Sequence, residues 1–289
     1  ATGAYTFRWT VTNAPCAASV DNVDITFTPG PTPADAGNDQ TICASSGTAT
    51  MAGNTPTVGI GTWTKVSGPA GGTITAPGSP TTSITGMTTP GTYVFKWTIA
   101  NAPCAASEDQ MNVTVNAPPT TAAAGNDASV CGLTTNLAGN APTVGSGAWT
   151  QVSGPGTSNF VNANSATTSV TVSATGAYTF RWTVTNAPCA ASTDNVDITF
   201  TAVPSTAAAG PDQTGNATCG QTQVTLAATA PTVGSGAWSV VTGTGGTFGS
   251  PSSPTSTFSG TAGNTYTLRW TVTNAPCAAS TDEMTVTFN

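Results

Sequence analysis

The sequence predicts an all-β chain of small sandwiches arranged in tandem, and three observations carry that expectation. The first is a twelve-residue stretch, Tyr178 to Cys189, that recurs with small changes as Tyr5 to Cys16, Tyr93 to Cys104 and Tyr266 to Cys277. The second is the spacing of its terminal cysteines, which lie 88, 85 and 88 residues apart. The third is composition. Gly (32) and Pro (21) are abundant among the 289 residues and Thr is frequent throughout, which disfavours long helices and suits short strands between turns.

Within the recurring stretch, large apolar residues alternate with polar ones before a turn-forming Asn-Ala-Pro. Tyr178, Phe180, Trp182 and Val184 therefore share one face of a strand, and Thr179, Arg181 and Thr183 the other. Such a face becomes core only when a second sheet covers it, which is the sandwich arrangement.

Residues 1–28 repeat residues 174–201 at every position except Val20 against Thr193, so the chain opens inside a repeat and reads as a window on a longer array. They supply two strands, Tyr5 to Val11 and Asn22 to Phe27, followed by a linker with Pro29, Pro31 and Pro33. The first complete unit begins Ala36-Gly37-Asn38-Asp39-Gln40-Thr41-Ile42-Cys43. Short strands are expected around Thr48 to Ala52, Thr62 to Val66 with Trp63, Thr73, Thr82 to Ile84, Thr92 to Ile99 and Met111 to Val115. Ser67-Gly68-Pro69 breaks the chain after Trp63. The second unit repeats the plan from Ala124-Gly125-Asn126-Asp127 and the third from Ala209-Gly210-Pro211-Asp212, with Trp149 and Trp238 in the place of Trp63. The expected domains are a truncated repeat at 1–30 and full repeats at 31–117, 118–202 and 203–289. About seven short strands per unit is the pattern of an immunoglobulin-like sandwich. Short proline-bearing linkers at Asn116-Ala117-Pro118-Pro119 and Ala202-Val203-Pro204 are expected to be semi-rigid.

The opening Ala-Gly-Asn/Pro-Asp-Gln-Thr, the middle Gly-Ala-Trp149-Thr-Gln-Val-Ser-Gly-Pro and the closing Tyr-Thr-Phe-Arg-Trp-Thr-Val-Thr-Asn resemble polycystic-kidney-disease (PKD) domains, a group of immunoglobulin-like sandwiches. The usual Trp-x-Phe-Gly-Asp-Gly motif of that group is absent. The paired cysteines and near-identical copies are similar to the long arrays of secreted adhesins and filaments in gliding Bacteroidota. The resemblance implies an extracellular, cell-surface protein.

Each full unit holds two cysteines, Cys43 with Cys104, Cys131 with Cys189 and Cys219 with Cys277, and the truncated unit holds Cys16 alone. Without histidine or a Cys-x-x-Cys spacing, zinc is a poor fit and disulfides in an oxidising compartment are expected. The last strand of each unit sets Cys104 at the pole far from the following linker. The pairing expected on that ground joins the two cysteines of each unit; a rival pairing would cross each linker, such as Cys16 with Cys43 or Cys104 with Cys131.

Only 6% of residues are charged, the net charge is -7 and the pI is about 4.1, which offers nothing to nucleic acid or an anionic membrane. No apolar run reaches the 18 residues that a spanning helix needs. Four of the five cations, Arg8, Lys96, Arg181 and Arg269, occupy one equivalent outward position, with Lys65 the other. The plain reading of this row is a strand-edge ion pair or a solubility device, with Asp24 and Asp197 placed to pair with Arg8 and Arg181. The sharper reading is lateral contact with a neighbouring copy.

Trp97 shares a face with Tyr93, Phe95 and Ile99, which assigns it to the core in preference to an exposed carbohydrate platform. Asp39, Asp127 and Asp212 recur after the linkers, and Asp109, Asp194 and Asp282 near the last strands. Calcium needs six to eight oxygens, so turn or strand capping is the better account of one or two acids per joint, and no cofactor is expected. Asn112-Val-Thr and Asn216-Ala-Thr fit the N-glycosylation pattern. Carboxylates dispersed with the repeats, and no histidine, leave general acid/base and nucleophilic catalysis without their usual groups. The sequence thus points to a stalk or fibre segment of a very long extracellular adhesin or filament, with copies of itself in a homo-oligomer or filament and other cell surfaces as the expected partners. The alternative is a repeat that binds glycan or protein directly.

Overall fold

The computed structural model describes residues 2–289, and the described chain is all β apart from one 3-10 turn. It divides into two compact units. One comprises Ala1–Thr120, Thr143–Ser146 and Thr185–Ala191, and the other Thr121–Pro142, Gly147–Val184 and Ser192–Asn289.

The first compact unit starts with a hairpin, β1 (Gly3–Val11) and β2 (Ser19–Phe27), paired antiparallel along its whole length. A complete sandwich follows: β3 (Gln40–Cys43), β4 (Ala49–Thr50), β5 (Ile60–Ser67), β6 (Thr73–Ile74), β7 (Ser83–Thr85), β8 (Gly91–Ala100) and β9 (Ser107–Asn116). One sheet has the order β3-β9-β8-β5 and the other β4-β7-β6. Burial alternates along β8 as the sequence demands. Tyr93, Phe95, Trp97 and Ile99 are each fully buried, and burial of side chains of this size is worth about 1.5–3 kcal/mol each. Trp63 on β5 pairs in register with Trp97 on β8, their rings 5.1 Å apart between centroids. Ile84 and Met51, contributed by the facing three-stranded sheet and the segment after β4, close the same core.

Strand β3 is the element that decides where the functional residues lie. It pairs parallel with β9, from Gln40 opposite Val113 to Cys43 opposite Asn116. The first strand therefore points the same way as the last, and its terminal cysteine sits where the chain leaves the sandwich.

The second compact unit holds two further sandwiches. The first of them contains β10 (Ala128–Cys131), β11 (Thr134–Ala138), β12 (Ser146–Ser153), β13 (Ser158–Phe160), β14 (Thr167–Val172), β15 (Gly176–Thr185) and β16 (Ser192–Thr201), in sheets of order β10-β16-β15-β12 and β11-β14-β13. Strand β10 is again parallel to the last strand, with Cys131 opposite Thr201. The second contains β17 (Gln223–Thr225), β18 (Ser235–Thr242), β19 (Thr247–Phe248), β20 (Thr257–Ser259), β21 (Thr265–Thr273) and β22 (Ser280–Thr287).

This last sandwich departs from the expected seven strands. Asp212 and Cys219 are seven residues apart, where Asp39 to Cys43 and Asp127 to Cys131 are four. The extra residues form the 3-10 turn Gly215–Thr218, and the parallel first strand shrinks to a single bridge between Gln213 and Val286.

The hairpin β1–β2 supplies a control on the role of context. Its sequence is that of β15–β16 bar one residue, yet Tyr5, Phe7, Trp9 and Val11 are 38%, 52%, 74% and 53% exposed while Tyr178, Phe180, Trp182 and Val184 are buried. The alternating pattern specifies which face is apolar, and the facing sheet buries it.

Candidate functional site: cysteine staples at the linkers

Four of the seven cysteines form two disulfides, and neither is the pair expected within a unit. Cys43 bonds Cys189 and Cys131 bonds Cys277, with Cα–Cα distances of 4.9 and 4.8 Å and a sequence separation of 146 in both. Cys104 and Cys219, assigned above to Cys43 and Cys277, are free thiols, as is Cys16. The parallel pairing of β3 explains the correction. Cys104 follows the β8 end that lies opposite Ser107, whereas Cys43 lies opposite Asn116. Nine residues of strand, about 30 Å, separate those two levels, and a disulfide spans roughly 4.4–6.8 Å between Cα atoms. The rival pairing of Cys104 with Cys131 is not formed either.

The staples share one local construction. Around the first, Asn186 donates its side-chain amide to Ala117 O at 2.8 Å and Asn116 donates to Ala187 O at 2.7 Å. Cys189 Sγ lies 3.5 and 3.4 Å from the carbonyl oxygens of Asn116 and Ala117. Around the second, Asn274 donates to Ala202 O at 2.7 Å and Cys277 Sγ lies 3.4 Å from the same oxygen. The Asn-Ala-Pro-Cys turn thus grips the linker carbonyls through Asn and delivers Cys to the end of the preceding first strand. Closing loops of this length is worth about 5 kcal/mol each in the chain-entropy account of disulfides.

The recurring acids act as clamps. Asp109, Asp194 and Asp282 accept the backbone N–H groups of Ala36, Ala124 and Ala209, each at 2.7 Å. Asp39, Asp127 and Asp212 accept the N–H groups of Asn112, Asp197 and Thr285 at 2.7–2.8 Å. Each unit's entry segment is thereby pinned twice to its last strand, and both sets of carboxylates have backbone partners. The N–H and the side-chain amide of Asn112 hold the Asp39 carboxyl below the ordinary aspartate value. That amide, half of the first glycosylation signal, is bonded to Asp39 Oδ2 at 3.1 Å, whereas Asn216 is exposed on the 3-10 turn.

The four aligned cations are engaged within their own sheets. Lys96 pairs with Glu108 at 2.9 Å and Arg269 with Glu283 at 2.6 Å. Arg8 and Arg181 donate through Nε to Asn22 and Asn195, at 3.3 and 2.9 Å. Asp24 and Asp197, expected to be their partners, instead accept from Thr6 and Thr179 at 2.6 Å. Register is the reason: Arg181 stands opposite Asn195 and Thr179 opposite Asp197.

In the three sandwiches Trp63, Trp97, Trp149, Trp182, Trp238 and Trp270 are all buried, at 4% exposure or less; Trp9 on the hairpin is exposed. Among the described residues no group of three or more Cys, Asp or Glu side chains is placed to hold a metal ion. Among the described residues no helix is long and apolar enough to cross a membrane.

The model of the K319L-like, PKD domain family matches residues 36–115 and 124–200. The chain belongs to that PKD family. Among solved structures, titin domains I67-I69, in an E-to-A variant, align with 90% of this chain and 98% of their own length, at 14% identity and a TM-score of 0.52. The PKD domain of the KIAA 1837 protein aligns with 28% of this chain and 86% of its own length, at 27% identity and a TM-score of 0.26. Human CDH23 EC21-23 aligns with 86% of this chain and 97% of its own, at 11% identity and a TM-score of 0.41. No curated protein matches the chain. The PKD assignment and the titin likeness agree on tandem immunoglobulin-like sandwiches, which is the fold expected from the alternating strands.

Proposed function

We propose that this PKD array is a load-bearing segment, a stalk or fibre, of a very long extracellular adhesin or filament. The observation that carries this reading is the pair of disulfides between successive repeats. Bonds inside each repeat would stabilise separate binding modules equally well, whereas bonds between neighbours also tie the joint covalently. A chain under tension gains a limit on how far it can be drawn out. The oxidising chemistry that the staples require supports an extracellular site at the cell surface, and the resemblance to arrays in gliding-bacterium adhesins is consistent with it. The repeat units that bear the load are 31–117, 118–202 and 203–289.

Side-by-side association of copies belongs to the same proposal. Arg181 donates to the neutral amide of Asn195 and has no ion pair among the described residues, while its equivalents Lys96 and Arg269 are already paired with Glu108 and Glu283. A periodic contact with an acidic surface of net charge -7 uses that row. Electron cryo-microscopy of the native assembly tests it. Several chains per cross-section touching at the Arg181 face support a filament, and a single unbundled string refutes lateral association while leaving the stalk. Direct glycan recognition by the three sandwiches has little support, since their six tryptophans are core residues and the exposed one, Trp9, lies on the hairpin.

A further inference from the structure

The two staples differ in how much of the chain covers them, and the difference lies in the loop that follows each first strand. Residues 44–48 separate β3 from β4, whereas only Gly132 and Leu133 separate β10 from β11. The longer loop folds back over its cysteine. Ser46 and Gly47 both donate their N–H groups to Cys43 O, at 3.0 and 3.2 Å, and Met87 N donates to Gly47 O at 3.0 Å. Ser45 Oγ lies 3.1 Å from Cys43 Sγ. Cys43 and Cys189 are left 8% and 9% exposed.

The shorter loop does none of this. Gly132 stands in the place of Ala44 and repeats only its bond to the last strand, donating to Thr201 O at 2.8 Å as Ala44 donates to Asn116 O at 2.9 Å. Gly132 has a positive φ of 85°, and nothing lies within 4 Å of the point where its Cβ would stand. Cys131 is exposed and Cys277 half-buried, although the turn that supplies Cys277 has the same Asn-Ala-Pro-Cys sequence as the one that supplies Cys189. Each staple joins two sandwiches that the chain contains in full, so the difference in cover belongs to these loops.

We propose that Cys131–Cys277 is a reducible link and Cys43–Cys189 a protected one, so that a small thiol reductant releases the array in two ordered steps. Thiol–disulfide exchange needs a thiolate to reach a disulfide sulfur, and exposed disulfides are the labile ones. The thiolate of one glutathione bonds to a sulfur of Cys131–Cys277 as the S–S bond breaks, and a second glutathione displaces the first from the mixed disulfide. The cysteine pair gains two electrons and two protons, and the two glutathione thiols leave as one disulfide. The buried staple is attacked only after its cover opens, and an opening of about 1.4 kcal/mol slows it tenfold. The first step lengthens the covalent path between Cys43 and Cys277 from 58 residues to 88, about 300 Å when drawn out, and the second lengthens it to 234, about 800 Å. The order of release is independent of the load-bearing reading, because it is measured without tension.

The test uses the 289-residue chain with Cys16→Ser, Cys104→Ser and Cys219→Ser, which leaves the four stapled cysteines. The folded chain is exposed to reduced glutathione, quenched at intervals with a light maleimide, then denatured, fully reduced, labelled with a heavy maleimide and mapped by mass spectrometry. Cys131 and Cys277 should take the light label at least about ten times faster than Cys43 and Cys189. Equal rates, or earlier release of Cys43 and Cys189, overturn the proposal. Two further chains keep one staple each, through Cys43→Ser with Cys189→Ser or Cys131→Ser with Cys277→Ser, and should show the same ratio; a ratio near one overturns it. Replacing Gly132 and Leu133 with the sequence of residues 44–48 should slow the release of Cys131 toward that of Cys43. A folded graft that is reduced as fast as its parent removes the loop as the cause and overturns the proposal, and where the graft does not fold the single-staple chains decide.

Discussion

Pulling the oxidised chain by its two ends gives the sharpest measure of the staples. Cys43 and Cys189 form one covalent node, and Cys131 and Cys277 another. Three backbone segments connect the two nodes: 43 to 131, 131 to 189 and 189 to 277, of 88, 58 and 88 residues. The shortest becomes taut first, so complete unfolding between Cys43 and Cys277 stops at about 200 Å, at roughly 3.4 Å per residue. Reduction frees all 234 residues between those positions, about 800 Å. A single substitution separates this connectivity from pairing inside each unit. Cys43→Ser leaves 88 residues as the shortest path, a gain of 30, or about 100 Å. Had Cys43 been bonded to Cys104, the same substitution would release the 61 residues between them, about 210 Å. Optical-tweezers or atomic-force extension of the oxidised wild type, the Cys43→Ser chain and the reduced chain reads these lengths directly. A gain near 210 Å, or equal lengths before and after reduction, refutes the staple topology.

Other consequences concern individual sandwiches. A methyl group on Gly147 would meet the Trp182 ring at 2.0 Å, so Gly147→Ala should destabilise the second sandwich by about 1–3 kcal/mol in urea unfolding followed by tryptophan fluorescence. An unchanged midpoint would show that the indole moves aside at no cost. Trp270 Nε1 is buried without a partner, whereas Trp97 Nε1 donates to Asn54 Oδ1; Thr229 fills the position of Asn54. Thr229→Asn should stabilise the third sandwich by about 1 kcal/mol, visible as a raised melting temperature, and a fall would mean that the new amide is itself left unpaired. The Asp39 carboxyl is held below its ordinary value by Asn112, so its contribution to the first sandwich is complete above the unfolded aspartate value of about 3.9 and is lost as pH falls through the lower folded value. Asp39→Asn should therefore destabilise at pH 7 and flatten the acid limb of the stability curve. Identical acid limbs would remove Asp39 from the account.

Strand positions were legible because a period of two with one apolar face has a single interpretation, and Tyr93, Phe95, Trp97 and Ile99 are buried as that period requires. The cysteine partners were misread at one step. The order of residues places Cys104 at the pole opposite the exit, but nothing in Gln40 to Cys43 says whether that strand pairs parallel or antiparallel with β9, and the direction alone moves Cys43 by the length of a sandwich. The partners of Arg8 and Arg181 turned on a similar detail, a shift of two residues in hairpin register. The signal that was available is arithmetic. Cys43 to Cys189 and Cys131 to Cys277 share a spacing of 146, and the spacing inside a unit does not stay constant, at 61 for Cys43 to Cys104 and 58 for Cys131 to Cys189 and Cys219 to Cys277.

The two staples overlap as interlaced brackets, since Cys131 falls inside the loop closed by Cys43 and Cys189, and Cys189 inside the loop closed by Cys131 and Cys277. Redundancy against cutting follows. A protease that hydrolyses any one peptide bond between Cys43 and Cys277 leaves two intact routes between the nodes, and a second cut in a different segment still leaves one. An oxidised chain cut in one or two of these segments is therefore not parted, whereas a reduced chain is parted by a single cut.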